Sequence, residues 1–207
     1  MGDWLADTRK SYDTVAVSYA GYARRGLAEK PVLRAALGLF AEQVDGPVAD
    51  VGCGPGVVTA HLHSLGVDVS GFDLSPAMIE LARRSHPGLW FEVGSMTEPF
   101  LADGSMAGLI AWWSLIHVPD AEVPTVFSHF HRALRPGGLL LLGFHVGDGT
   151  RVKEQGYGGH PMRVHVHLRQ PDQVVAWLRD AGFTLEARWL HDPETEAPQA
   201  ILFARRG

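Results

Sequence analysis

The chain has 207 residues, a formal net charge of −5, ordinary apolar and charged fractions, and a single cysteine, Cys53. That is enough chain for one full core, while the acidic balance argues against broad nucleic-acid affinity without excluding a small nucleobase-like ligand. One cysteine excludes an intrachain disulfide, the start MGDWLADTRK has no apolar leader, and the run at 139–142 is too short to cross a membrane, so a cytoplasmic protein without membrane or nucleic-acid partners is expected.

Tyr12, Val15, Tyr19 and Tyr22 recur at helical spacing on one face. Pro31 opens a second helix, where its missing N–H costs nothing, and Gly46-Pro47 ends it. Residues 1–46 therefore read as a helical N-terminal cap. Alternation follows: strand 48–51, helix 57–65, strand 67–72 ending at Asp73, a helix capped by Ser75 with Pro76 in its first turn, and strands 89–93 and 106–113. A helix over 121–134 stops at Arg135-Pro136-Gly137-Gly138, and strand 139–145 comes next. Residues 146–161, rich in glycine and charge, read as loop, and 163–168 alternate as a strand. Pro171 starts a helix to Ala181, and 183–191 with 200–204 read as a closing antiparallel pair. The pattern predicts a doubly wound α/β fold, with a mostly parallel sheet and helices on both faces. The chain divides into a core at 47–207 and a lid or insert at 146–169.

The stretch VADVGCGPGV carries Asp50 and then Gly52, Gly54 and Gly56 at a strand-to-helix turn. Such a turn lets a ligand touch backbone at a helix N-terminus. A nicotinamide or flavin cofactor would want G-x-G-x-x-G, whereas here the spacing is G-x-G-x-G. Asp50 adds negative charge, which suits a ligand bearing a positive group.

VADVGCGPGV resembles the first motif of class I S-adenosylmethionine-dependent methyltransferases. VSGFDLSPAMIELAR, FEVGSM, AGLIAWWSLIHVPD and LRPGGLLLLGFH resemble that family's later motifs, in order. The resemblance implies a Rossmann-like seven-stranded sheet with a terminal antiparallel strand, and S-adenosylmethionine as cofactor. It implies that Gly52 and Gly54 lie against the methionine part and ribose, that Asp50 helps hold the amino group, and that Asp73 takes the ribose hydroxyls. Leu74 then packs on adenine, and the Met96 N–H meets a ring nitrogen. Ser95 stands where the family often has an acid, so its hydroxyl accepts without charge. Segment 112–117, with Trp112 and Ser114, falls beside the methionine tail, and strand alternation sends only one of Trp112 and Trp113 to the site. A tyrosine of the first helix touches the methionine carboxylate, with Tyr12 and Tyr19 as candidates, though core packing explains either equally.

On the acceptor side, His117 and His145 fall at the carboxyl ends of neighbouring strands. His117 reads either as a general base or as a cap of the next helix, and His145 is the second candidate base. His160, His165 and His167 lack a carboxylate partner, so no metal is expected. The implied function is methyl transfer to a small-molecule O, N, S or C nucleophile. Cyclisation or isomerisation using the same cofactor is the alternative, since a fold does not fix its chemistry.

Overall fold

The structure is a computed structural model and describes residues 4–207; the first three positions of the expected cap lie outside the described residues. Two helices come first, α1 (Trp4–Glu29) and α2 (Pro31–Gln43). Strands β1 (Val48–Val51), β2 (Val69–Asp73), β3 (Trp90–Val93) and β4 (Met106–Trp112) follow, with α3 (Val57–Ser64) and α4 (Pro76–Ser85) between the first three. Next come α5 (Val123–Ala133), β5 (Leu134–His145), β6 (Thr150–Gln155), β7 (Pro161–His167) and α6 (Pro171–Asp180). The chain ends with β8 (Phe183–His191) and β9 (Gln199–Arg206).

Seven strands form one sheet in the order β3-β2-β1-β4-β5-β9-β8. Neighbours from β3 to β5 pair in parallel, while β9 runs antiparallel to both β5 and β8. The expected fold class is therefore the observed one. Helices cover both faces, which is why β1 and β4 are apolar on both sides. Alternation along β5 divides the core, with Leu140 and Leu142 packing against Phe127, Phe130 and Leu178, and Leu139 and Leu141 against Phe40 and Leu62. Chain order reverses between β1 and β4, which opens a crevice at their carboxyl ends.

Two expectations are corrected at the level of elements. Residues 146–161 are not simply loop: β6 and β7 pair as an antiparallel two-stranded sheet. TRVKEQ hides its strand character because β6 is open to solvent on nearly its whole length and has no apolar face to display. Met162 and Val164 of β7 supply the buried contact instead, against Val15 of α1. The second correction lies at the start of β5, which begins at Leu134 directly after α5. Its irregular pairing with β4 shifts register between Met106 and Gly108, and this absorbs the Pro-Gly-Gly stretch.

Candidate functional site

The glycine turn after β1 is held open by positive φ at Gly52, Gly54 and Gly56. A β-carbon at Gly52 would fall 2.1 Å from that of Ser114, whose hydroxyl donates to the Val51 carbonyl at 2.6 Å. Gly52 is thus needed for packing as well as for exposing backbone. Gly54 is freer: its nearest neighbour is the Tyr19 ring at 3.4 Å. Two cavities meet at this turn. The first, about 90 Å³, takes in Gly54, Asp73, Leu74, Ser95, Met96 and His117. The second, about 430 Å³, takes in Asp50, Lys30, Tyr157, His145 and Gln199. Tyr12, Tyr19, Gly52, Trp112 and Trp113 line both and form their common wall.

Two carboxylates flank the turn. Asp73 ends β2 and accepts the N–H groups of Gly54 and Ser75, each at 2.8 Å. Burial raises its pKa to about 6 against the pull of those two bonds. Asp50 is fully buried; its Oδ2 accepts from the Thr59 hydroxyl at 2.7 Å, and its Oδ1 has no partner. Burial raises Asp50 to about 7, and Asp73 adds to the rise. Two buried acids on adjoining cavities, neither in a salt bridge among the described residues, form a site suited to a cation.

Helix α1 roofs the crevice. Asp13 reaches the N-terminus of α4, where its Oδ1 accepts from the Ser75 hydroxyl at 2.6 Å and from the Ala77 N–H at 3.1 Å. Ser75 also accepts from the Met78 N–H at 3.1 Å, so the expected N-cap is real and is itself anchored to α1. No periodicity points to Asp13, because its partners lie more than 60 residues away. The tyrosine face does what its spacing suggested. Tyr12 meets Tyr19 edge-on at 5.7 Å, and Tyr19 and Tyr22 each meet Tyr157 of the β6–β7 turn at 4.8 Å.

His117 does not cap a helix; the N-cap of α5 is Glu122. Its ring is buried, with Nδ1 at 2.8 Å from the His165 carbonyl and Nε2 at 2.7 Å from the Tyr12 hydroxyl. A carbonyl only accepts, so Nδ1 carries the proton and Nε2 accepts the Tyr12 O–H. Burial lowers the His117 pKa to about 4, which keeps the ring neutral. Tyr12, with its proton committed to His117, offers only lone pairs to the cavity wall. His145 lies across the wall in the second cavity, its ring 6.4 Å from Trp113. The structure therefore does not bring the two histidines into one cavity.

The expectation that one tryptophan faces the site is corrected. Trp113 has φ of 51° and has left the strand, so alternation no longer applies to it. Its ring folds over Gly143 and packs edge-on against Trp112 at 4.7 Å, and both line the cavities. On the third motif, the Ser95 hydroxyl pairs with Thr97 at 2.7 Å, and the Met96 carbonyl accepts from His129 at 3.3 Å.

A family profile described as a methyltransferase domain matches residues 48–138. Phosphoethanolamine N-methyltransferase 3 of Arabidopsis thaliana is 30% identical over 149 residues, which is 66% of this chain and 28% of that protein. Ubiquinone biosynthesis O-methyltransferase of Xanthomonas axonopodis pv. citri is 30% identical over 156 residues, 67% of this chain and 63% of that protein. The chain thus spans less than two thirds of either relative. Among solved structures, a 1,6-didemethyltoxoflavin N1-methyltransferase of Burkholderia thailandensis superposes with a TM-score of 0.74. It covers 99% of this chain and 89% of that one at 22% identity, a likeness of fold.

Proposed function

The chain belongs to the class I S-adenosylmethionine-dependent methyltransferase family, and on that premise we propose that it binds S-adenosylmethionine at the glycine turn and methylates a small-molecule acceptor. The observation that carries this reading is the acid pair. Asp50 Oδ1 is buried and unpartnered, and Asp73 sits at the end of the neighbouring strand. An ammonium group supplies the donor that Asp50 Oδ1 lacks, and a ribose diol can donate to the remaining lone pairs of Asp73, whose two oxygens already accept from Gly54 and Ser75. The residues present therefore fit the cofactor. Leu74, Ser95 and Met96 lie on the cavity wall with Asp73 and take the adenine side, while Gly52, Gly54 and Ser114 take the sugar and chain.

The cofactor contributes an electrophilic methyl on a sulfonium; this chain contributes placement, charge and exclusion of water. Trp112 and Trp113 screen the common wall, and their faces favour a cation. His117 holds the Tyr12 oxygen, which presents lone pairs at that wall. Tyr19 faces Gly54 and is the tyrosine placed for the methionine carboxylate. The acceptor enters the second cavity, where neutral His145 is available for any proton the acceptor gives up. Residues 4–46 would act as the cap and 146–169 as the lid. Cys53 is a free thiol, as suits a reducing cytoplasm, and among the described residues no helix is long and apolar enough to cross a membrane.

The test is to incubate the protein with S-(methyl-d3)-adenosylmethionine and a panel of phenols, amines, thiols and carboxylates. S-adenosylhomocysteine should form in step with a labelled acceptor. Methylthioadenosine, or a transformed acceptor without label, would assign the chain to cyclisation or isomerisation instead.

A further inference from the structure

The second cavity has a composition that singles out one kind of acceptor. Its walls are aromatic: Tyr22 and Tyr157 meet at 4.8 Å, and Trp113, 6.4 Å from the His145 ring, also lines it. A wall rich in aromatic rings suits a planar guest that packs against their edges and remaining faces. Its rim is cationic. Lys30 and Arg25 line it, and Lys153 lies 3.7 Å over the Tyr157 ring. Burial lowers the pKa of His145, and Arg151 and Lys30 lower it further. Among the described residues, none of these four cations has a carboxylate within salt-bridge distance. In a chain of net charge −5, a cluster of unpaired cations at one opening is not the average surface. Lys30 is also the N-cap of the 13-residue α2; Pro31 has no N–H, and Leu33 and Arg34 donate to the Lys30 carbonyl, so what this end offers is the lysine ammonium at the positive end of the helix dipole. Two acids lie on this cavity. Asp50 belongs to the cofactor end, and Glu29 is exposed at the outer edge.

We propose that the methyl acceptor is an aromatic acid, its ring held between Trp113 and the Tyr22–Tyr157 pair and its anionic group drawn to Lys30 at the α2 N-terminus, with Arg25 and Arg151 adding field. His145 stays neutral beside the ring, free of the anion. Because this presumes the methyl-transfer reading above, the two need separate readouts.

Binding of S-adenosylhomocysteine is measured first, by calorimetry, on wild type and on Lys30→Met. The saturated protein is then titrated with benzoate, 4-hydroxybenzoate, anthranilate and cinnamate, each against its own neutral amide, and with cyclohexanecarboxylate. Tryptophan fluorescence is the signal. At least one aromatic acid should bind about tenfold more tightly than its amide and than cyclohexanecarboxylate, with the preference shrinking as salt rises. Lys30→Met should reduce that preference to about twofold or less while leaving S-adenosylhomocysteine affinity within about twofold. If no acid outbinds its amide, or cyclohexanecarboxylate does as well, the proposal is wrong. If Lys30→Met weakens S-adenosylhomocysteine as much as the acid, Lys30 serves the cofactor's own carboxylate, and the proposal is overturned again. Absence of S-adenosylhomocysteine binding by folded wild type would instead remove the methyltransferase reading, and this inference with it.

Discussion

Asp50 and Asp73 are buried acids whose pKa values the fold raises, at a cost to stability that the proposed cofactor would offset. Asp50 has an ordinary value of 3.8 when unfolded and about 7 in the fold. Between those pH values the fold keeps a proton that the unfolded chain has released, so this group makes stability fall as pH rises from about 4 to 7. Asp50→Asn removes the effect: thermal melts should show the variant gaining on wild type across that window, with weaker cofactor binding. His117 works in the opposite sense. The unfolded chain takes up a proton near 6.5 that the fold refuses until about 4, so stability falls as pH drops through that window. His117→Gln should flatten that acid-side loss; an unchanged profile would contradict the buried neutral ring. Asp73→Ala should weaken S-adenosylmethionine by about 2–3 kcal/mol, the loss of charge-assisted bonds, with the protein still folded. The placement of Asp73 at the end of β2 was legible in the sequence because the apolar strand stops there and Ser75-Pro76 opens the next helix. Asp13 was not, since its partners belong to a distant helix. Trp113 was misjudged because alternation stops where φ turns positive, and nothing local announces that.

At the level of elements, the β6–β7 hairpin is tied to the edge of the crevice at two points. The His165 carbonyl fixes the His117 ring. Just beyond β7, the buried Arg169 donates to Asp120 at 2.9 Å, to the Leu115 carbonyl at 3.0 Å and to the Val118 carbonyl. Arg169→Met would remove all of these donors, leaving the Leu115 carbonyl with the Val118 N–H alone, and loosen the turn carrying His117. The expected cost is about 2–4 kcal/mol, which lowers the Tm by roughly 5–10 °C. Loss of stability under about 0.5 kcal/mol would show that the clamp is ornamental. The helices and buried strands were legible because their periods of 3.6 and 2 are written in apolar residues. β6 was illegible for the converse reason: a strand open on both faces needs no apolar residue, so its polar run looks like loop.

On the scale of the whole molecule, the parallel sheet, the order reversal and the glycine turn converge on a single crevice, roofed by α1 and flanked by the hairpin. Several motifs in order made that architecture readable before any coordinates. Sequence did not reveal that the crevice divides into a smaller chamber holding Asp73 and a larger, cation-rimmed one that reaches Asp50, because the second is assembled from α1, α2, β5 and the hairpin, which are far apart in the chain. The central claim is that Asp50, with one buried oxygen unpartnered among the described residues, and Asp73 at the end of the neighbouring strand hold a cationic nucleoside. Isothermal titration of S-adenosylmethionine into the folded protein tests this most directly, with NADH as the control and Asp50→Asn as the comparison. One site per chain with roughly micromolar affinity, no heat from NADH, and at least about tenfold weaker binding by the variant is the predicted result. Binding that Asp50→Asn leaves untouched, or a protein that takes NADH and ignores S-adenosylmethionine, would contradict it.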